Sequence, residues 1–211
     1  MKIFDYKAYT GLGVIFSSKT FVLEKENNLY VISPGPMEGD LYELLSKSKK
    51  AIHFISPNGV HHFHLAAAKK LFKDASFYGG KRAASQSGIE LEKIEQLPLE
   101  EIQIFPVGGN KVLSEVCFLD EESRSLIATD LFFNMIGKKQ NLATTIMFTL
   151  AGVNNRLATS RLVTASINDK AAFKSSLKLL CELDFDTAYT SHGDPITKNE
   201  FVRHFTSRFK L

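Results

Sequence analysis

Residues Ser56 to His64 read Ser-Pro-Asn-Gly-Val-His-His-Phe-His, so three of the chain's six histidines crowd into a single turn. Just upstream, Ala51-Ile-His-Phe-Ile55 is a short apolar run with strong β preference. Just downstream, Leu65-Ala-Ala-Ala-Lys-Lys-Leu-Phe72 is built from strong helix formers. The histidines are therefore expected at a strand-to-helix turn, at the first residues of the helix. Turns of this kind, at the carboxyl ends of strands, are where α/β proteins place ligands and chemistry.

The rest of the chain is read around that turn. Gly11–Phe16, Thr20–Leu23 and Asn28–Ile32 are β-prone runs. The spacers Ser17–Lys19 and Glu24–Asn27 predict an antiparallel meander. Leu41, Leu44 and Leu45 predict a helix over Glu38–Ser46. Beyond the histidines, Ser76–Tyr78 is a strand closed by Gly79-Gly80, and Lys81–Ser87 reads as a polar connection. Gln103–Phe105, Glu115–Leu119 and Ser125–Thr129 are strands joined by Gly108-Gly-Asn110 and Asp120–Ser123 turns. Helices dominate from Asn141: apolar Leu142–Leu150, a mixed Asn154–Val163, and a segment starting at Asn168-Asp169. A short strand at Ala188-Tyr189, the turn Ser191–Pro195 and a helix over Lys198–Phe209 close the chain. This order predicts one α/β (α+β) domain over residues 1–211, with two mixed sheets packed face to face and helices outside.

Bulk properties remove several function classes. At 211 residues and 44% hydrophobic content the chain can bury a substantial core. Its net charge of +3 comes without a nucleic-acid recognition motif, so no nucleic-acid partner is expected. No apolar run is long enough to span a bilayer, and Met1–Ala8 lacks a signal-peptide pattern. A cytoplasmic protein with no membrane partner is the expectation. Cys117 and Cys181 sit among apolar neighbours with no CxxC spacing and read as reduced thiols. Gly11-x-Gly13 lacks the context of a nucleotide loop.

Two more polar points end apolar strands. Asp130 lies between Leu126–Thr129 and Leu131–Phe133, and His192 lies between Tyr189–Ser191 and Gly193-Asp194. Taken singly they read as a turn aspartate bonding backbone amides and a hydrogen-bonded turn histidine. Asp194 reads as a cap for the last helix. His53 and His204 fall outside these motifs and receive no role.

Taken together, the set resembles the metallo-β-lactamase fold superfamily of lactamases, glyoxalase II and lactonases, over most of the chain and as a diverged bacterial branch. That superfamily's first signature is Thr-His-x-His-x-Asp-His after a strand. Here Ser56 takes the threonine place, Pro57 and Gly59 the first two histidine places, His61 the aspartate place and His62 the last histidine place. Asn110 stands where a Gly-His histidine is expected. Thr129-Asp130-Leu-Phe-Phe133 matches the strand-end aspartate, and Ser191-His192-Gly193-Asp194 matches the last histidine turn.

The resemblance implies a specific loss. Pro57, Gly59 and Asn110 leave one of the superfamily's two metal positions without good donors. The other position keeps His61, His62, Asp130 and His192. Three imidazoles and a carboxylate suit one divalent ion: zinc first, with iron or manganese as alternatives. His64 follows His61 by three residues and is expected on the same helix face, as a ligand in place of His61 or as an acid–base group. Two functions stay open. One is a metal-dependent hydrolase of an ester, thioester, lactone or similar small molecule, with Asp130 and His64 as catalytic groups. The other is a non-catalytic binding protein of the same fold, with a structural ion or none.

Overall fold

A computed structural model describes residues 1–9, 13–99 and 102–211. By internal contacts the chain divides into two compact units, residues 1–6 with 19–100 and residues 7–18 with 101–211.

The first unit is organised on a five-stranded mixed sheet in the order β1-β2-β3-β4-β5. Its strands are β1 (Lys2–Tyr9), β2 (Ile15–Glu24), β3 (Asn28–Ile32), β4 (Ala51–Ile55) and β5 (Ser76–Tyr78), and the unit boundaries fall within β1 and β2. β2 and β3 pair antiparallel, whereas β3, β4 and β5 run parallel. The register lines up Val22, Val31, Phe54 and Phe77 in one cross-strand row. Helices α1 (Gly39–Lys47) and α2 (Leu65–Leu71) bring Leu41, Leu45, Leu65 and Ala68 into the same cluster. This burial of aliphatic and aromatic side chains is the main stabilising term for the unit.

The second unit carries a mixed sheet in the order β12-β11-β8-β7-β6. Its strands are β6 (Ile102–Pro106), β7 (Val116–Asp120), β8 (Ser125–Ile127), β11 (Thr187–Tyr189) and β12 (Ile196–Thr197). β9 (Phe133–Asn134) and β10 (Leu157–Ala158) form a separate two-stranded ribbon. Helix α6 (Lys170–Glu182) buries Phe173, Leu177 and Leu180. Helix α7 (Lys198–Phe209) buries Phe201 and Phe205, whose rings pack edge-on against Phe132. The β7–β8 hairpin turns on Arg124 at φ 49°, and its guanidinium bonds both Asp184 and Asp186.

Several expectations need correction. Ser17–Lys19 is not a turn: β2 runs through it, with Ser18 and Thr20 buried. Thr20 Oγ1 donates to the Ser33 carbonyl and accepts from the Gly35 amide, so these polar side chains serve the interior. Strand β1 had no counterpart among the predicted runs, and residues 11–12 of the first predicted run lie outside the described residues. Lys81–Ser87 is helix α3, not a connection. Asn154–Val163 is not one helix; it holds β10 and the start of α5 (Arg161–Ala165). Asp194 does not cap α7. Thr197 does, in a reciprocal pair with Glu200, and Asp194 binds Lys138 Nζ at 2.6 Å. Helix α4 (Leu142–Ala151) agrees with the expected span. Among the described residues no helix is long and apolar enough to cross a membrane.

Candidate metal centre

In the first unit the histidine turn is shaped by its own polar residues. β4 ends at Ile55, and Ser56 Oγ lies 2.9 Å from the carbonyls of both Asn58 and His61. Asn58 Oδ1 accepts from the amides of Val60 and His61, bending the chain as asparagine side chains do in turns. His61–His64 form the turn itself, and α2 starts only at Leu65. The expected shared helix face of His61 and His64 therefore does not exist.

The three rings have different partners. His61 Nδ1 lies 2.6 Å from Ser33 Oγ, which in turn lies 3.0 Å from the Lys19 carbonyl. A carbonyl can only accept. Both contacts are hydrogen bonds only if Ser33 donates to Lys19 and accepts from His61 Nδ1–H. His61 then carries its lone pair on Nε2. Ser33 is fully buried and held at φ 57°, a backbone conformation costly for a residue with a Cβ.

His62 is buried, and its Nδ1 lies 3.2 Å from the Gly59 carbonyl, which again assigns the proton to Nδ1. Burial pushes its pKa down, partly offset by the Gly59 hydrogen bond, and the Arg82 charge lowers it further. His64 packs edge-on against Tyr6 at 5.6 Å, and burial lowers its pKa as well.

In the second unit, two strands deliver the other two residues. β8 and β11 run parallel with Ile127 opposite Tyr189. Asp130 and His192 each lie three residues past that pair, so the register itself brings them together beyond the carboxyl ends of the strands. The Ser191 amide bonds the Thr129 carbonyl, and the His192 amide bonds Thr190 Oγ1. Glu115 lies beneath this corner, 1% exposed, and accepts from Thr129 Oγ1 at 2.7 Å and from the Asp130 amide at 3.2 Å. The His192 ring stacks on Phe133 at 4.8 Å and meets the Phe16 ring edge at 5.2 Å. Gly193 follows at φ 104°, where an added Cβ would collide with the Asn134 backbone carbonyl.

The pair is buried, with side chains 8% and 7% exposed, and His192 Nε2 lies 3.1 Å from Asp130 Oδ1. His192 Nδ1 lies 3.1 Å from the Ser17 carbonyl and must donate to it. Nε2 then faces a carboxylate as a second acceptor. That contact is stable only with a second proton on the ring or with a cation that both atoms bind. One oxygen of the Asp130 carboxylate thus faces His192.

His61 and His62 thus share one arrangement, Nδ1–H bonded to an oxygen and the lone pair on Nε2, and His192 likewise donates from Nδ1 to an oxygen. Metal-binding histidines are oriented in this way. Imidazole nitrogen and carboxylate oxygen are donor types that suit a borderline divalent ion. Asn110 does not belong to such a set. It is buried, its amide nitrogen donates to the Val163 carbonyl, and its oxygen accepts from the Leu113 amide. The sequence reading missed Ser33, Asn58, Glu115 and the Ser17 carbonyl; only the Asn58-Gly59 turn chemistry carried a local signal.

No family model matches the chain, and no curated protein is similar to it in sequence. Solved structures do match. A metallo-β-lactamase from Hirschia baltica superposes with a TM-score of 0.66 at 8% identity, over 98% of this chain and 92% of that one. The metallo-β-lactamase FIM-1 from Pseudomonas aeruginosa, in its mono-zinc form, gives 0.65 at 12% identity, over 99% and 92%. The Flv1 flavodiiron core from Synechocystis gives 0.64 at 13% identity, over 99% of this chain and 58% of that one. With two mixed five-stranded sheets and strand-end Asp130 and His192, the chain has the metallo-β-lactamase fold.

Proposed function

We propose that the protein is a mononuclear metal-dependent hydrolase of an ester, thioester, lactone or similar small molecule. His61, His62, Asp130 and His192 would hold the ion, with zinc the best fit. The observation that carries this reading is the buried Asp130–His192 contact at 3.1 Å, in which His192 has already committed its Nδ1 proton to Ser17. The same Nδ1 commitment in His61 and His62 supports it. The mono-zinc form of FIM-1, a protein of the same fold, is consistent with one ion.

A bound divalent ion supplies Lewis acidity, polarising an acyl carbonyl and acidifying water. The protein's own part is orientation. Ser33, Gly59 and Ser17 fix the three ring tautomers, and Glu115 fixes the corner that carries Asp130. In this reading Asp130 completes the donor set or takes a proton from the attacking water. His64, whose pKa burial lowers, is the acid–base group that remains.

A second reading is a non-catalytic protein with a structural ion. Its support is that three imidazoles and a carboxylate already fill a tetrahedral zinc. Asn110, locked to Val163 and Leu113, adds no further ligand. Protein purified without chelator decides between them. One ion per chain with turnover of an ester, thioester or lactone panel supports the hydrolase. One ion without turnover supports the non-catalytic protein with a structural ion, and no ion with no turnover overturns the hydrolase and leaves the non-catalytic protein without an ion.

A further inference from the structure

Helix α4 wears its apolar side outward. It buries Thr144 and Phe148, while Leu142 is 77% exposed, Ile146 53% and Leu150 69%. These three are spaced four apart and form one stripe along the helix. Leu162, on the neighbouring α5, is 70% exposed. Leu142–Ala151 contains no charged residue, whereas an ordinary surface helix puts its charges on the solvent side. Four aliphatic side chains this exposed present roughly 500 Å² of apolar surface, the size of the largest patch on a typical monomer, which is often functional.

We propose that this stripe is the contact surface for a second copy of the chain, independently of any ion. Two stripes laid face to face remove about 1,000 Å² from water, the lower bound of a specific interface, so the dimer is weak. Symmetric pairing places like against like, and a stripe without charge incurs no repulsion when it meets itself. A lipid surface fits less well. A membrane-lying helix needs a polar face rich in Lys and Arg. The other face of α4 instead packs Phe148 with Met135, Val153 and Phe16.

The stripe is also held rigid. Asn141 caps the helix and donates to the Gly13 carbonyl. Thr144 Oγ1 bonds both the amide and the carbonyl of Ile15, and Arg161 donates to the Leu150 carbonyl. Little conformational freedom remains to be lost on association.

Sedimentation equilibrium of the full chain tests this. A monomer–dimer equilibrium is expected, and Ile146→Asp should weaken it roughly a hundredfold with an unchanged thermal midpoint at concentrations where the wild type is monomeric. In a Cys181→Ser background, Ile146→Cys sits mid-stripe beside its own copy and should form a disulfide-linked dimer on mild oxidation. A chain that stays monomeric at all concentrations overturns the proposal. So does a dimer indifferent to Ile146→Asp. Binding to phosphatidylcholine–phosphatidylglycerol vesicles that Ile146→Asp abolishes would assign the stripe to lipid instead and overturn it too.

Discussion

His192 Nε2 lies 3.1 Å from Asp130 Oδ1, while its other ring nitrogen is bonded to the Ser17 carbonyl. A carboxylate and a ring lone pair cannot share that position without a positive charge. If the charge is a metal ion, adding zinc raises the thermal midpoint of the wild type and a chelator lowers it. An ion present at a hundred times its Kd stabilises by about 2.7 kcal/mol. Asp130→Asn should abolish this zinc response in differential scanning fluorimetry. A response that survives the substitution would place the ion elsewhere.

Ser33 holds the His61 tautomer through a strained backbone. Ser33→Ala removes the acceptor for His61 Nδ1–H and should weaken metal affinity about 10–100-fold, the usual range for partners of metal-binding histidines. Ser33→Gly should weaken it equally but be more stable than Ser33→Ala by roughly 1 kcal/mol, because glycine adopts φ 57° without strain. Competition with a chromogenic chelator and urea unfolding measure the two effects separately.

Asn110 stands at a ligand place of the resemblance, yet both ends of its amide are engaged. Asn110→Ala should cost about 2–3 kcal/mol, since it leaves the buried Val163 carbonyl and Leu113 amide without partners. It should leave the metal content unchanged. Loss of the ion with little loss of stability would return Asn110 to the donor set.

His204 supplies a pH dependence far from the motifs. Burial, then the Arg208 charge, lowers its pKa to about 4, and its Nε2 lies 3.1 Å from Thr159 Oγ1. The unfolded chain protonates near pH ~6.5, well before the folded one. This contribution to stability is therefore whole above that pH. It is lost as pH falls toward about 4, where the folded form also protonates. His204→Gln should show a smaller drop in urea midpoint between about pH 7 and about pH 5. An identical drop would mean that another group governs the acid response.

The parts of this fold that were legible share a physical reason. Apolar periodicity located α1 and α6 because each buries one face, and Asp169 signalled the start of α6 by capping it. The four proposed ligands are named through the resemblance to the metallo-β-lactamase superfamily, whose strand-end polar pattern they follow; singly, their residues read as ordinary turn residues. What stayed hidden is non-local. Ser18 and Thr20 look like turn residues, and only the Ser33–Gly35 segment across the sheet explains why they are buried in β2. The acceptors that set the ring tautomers of His61 and His192 are a serine 28 positions away and a backbone carbonyl 175 positions away. The short helix α3 lacks apolar residues at helical spacing beyond its alanines, so its composition resembled a loop.

The most direct measurement is elemental analysis of protein purified without chelator, for the wild type and for His62→Ala, Asp130→Asn and His192→Gln. One divalent ion per wild-type chain, absent from all three variants, is the predicted result. A wild type with no ion, with two ions, or with one ion that all three variants retain would contradict the proposed centre.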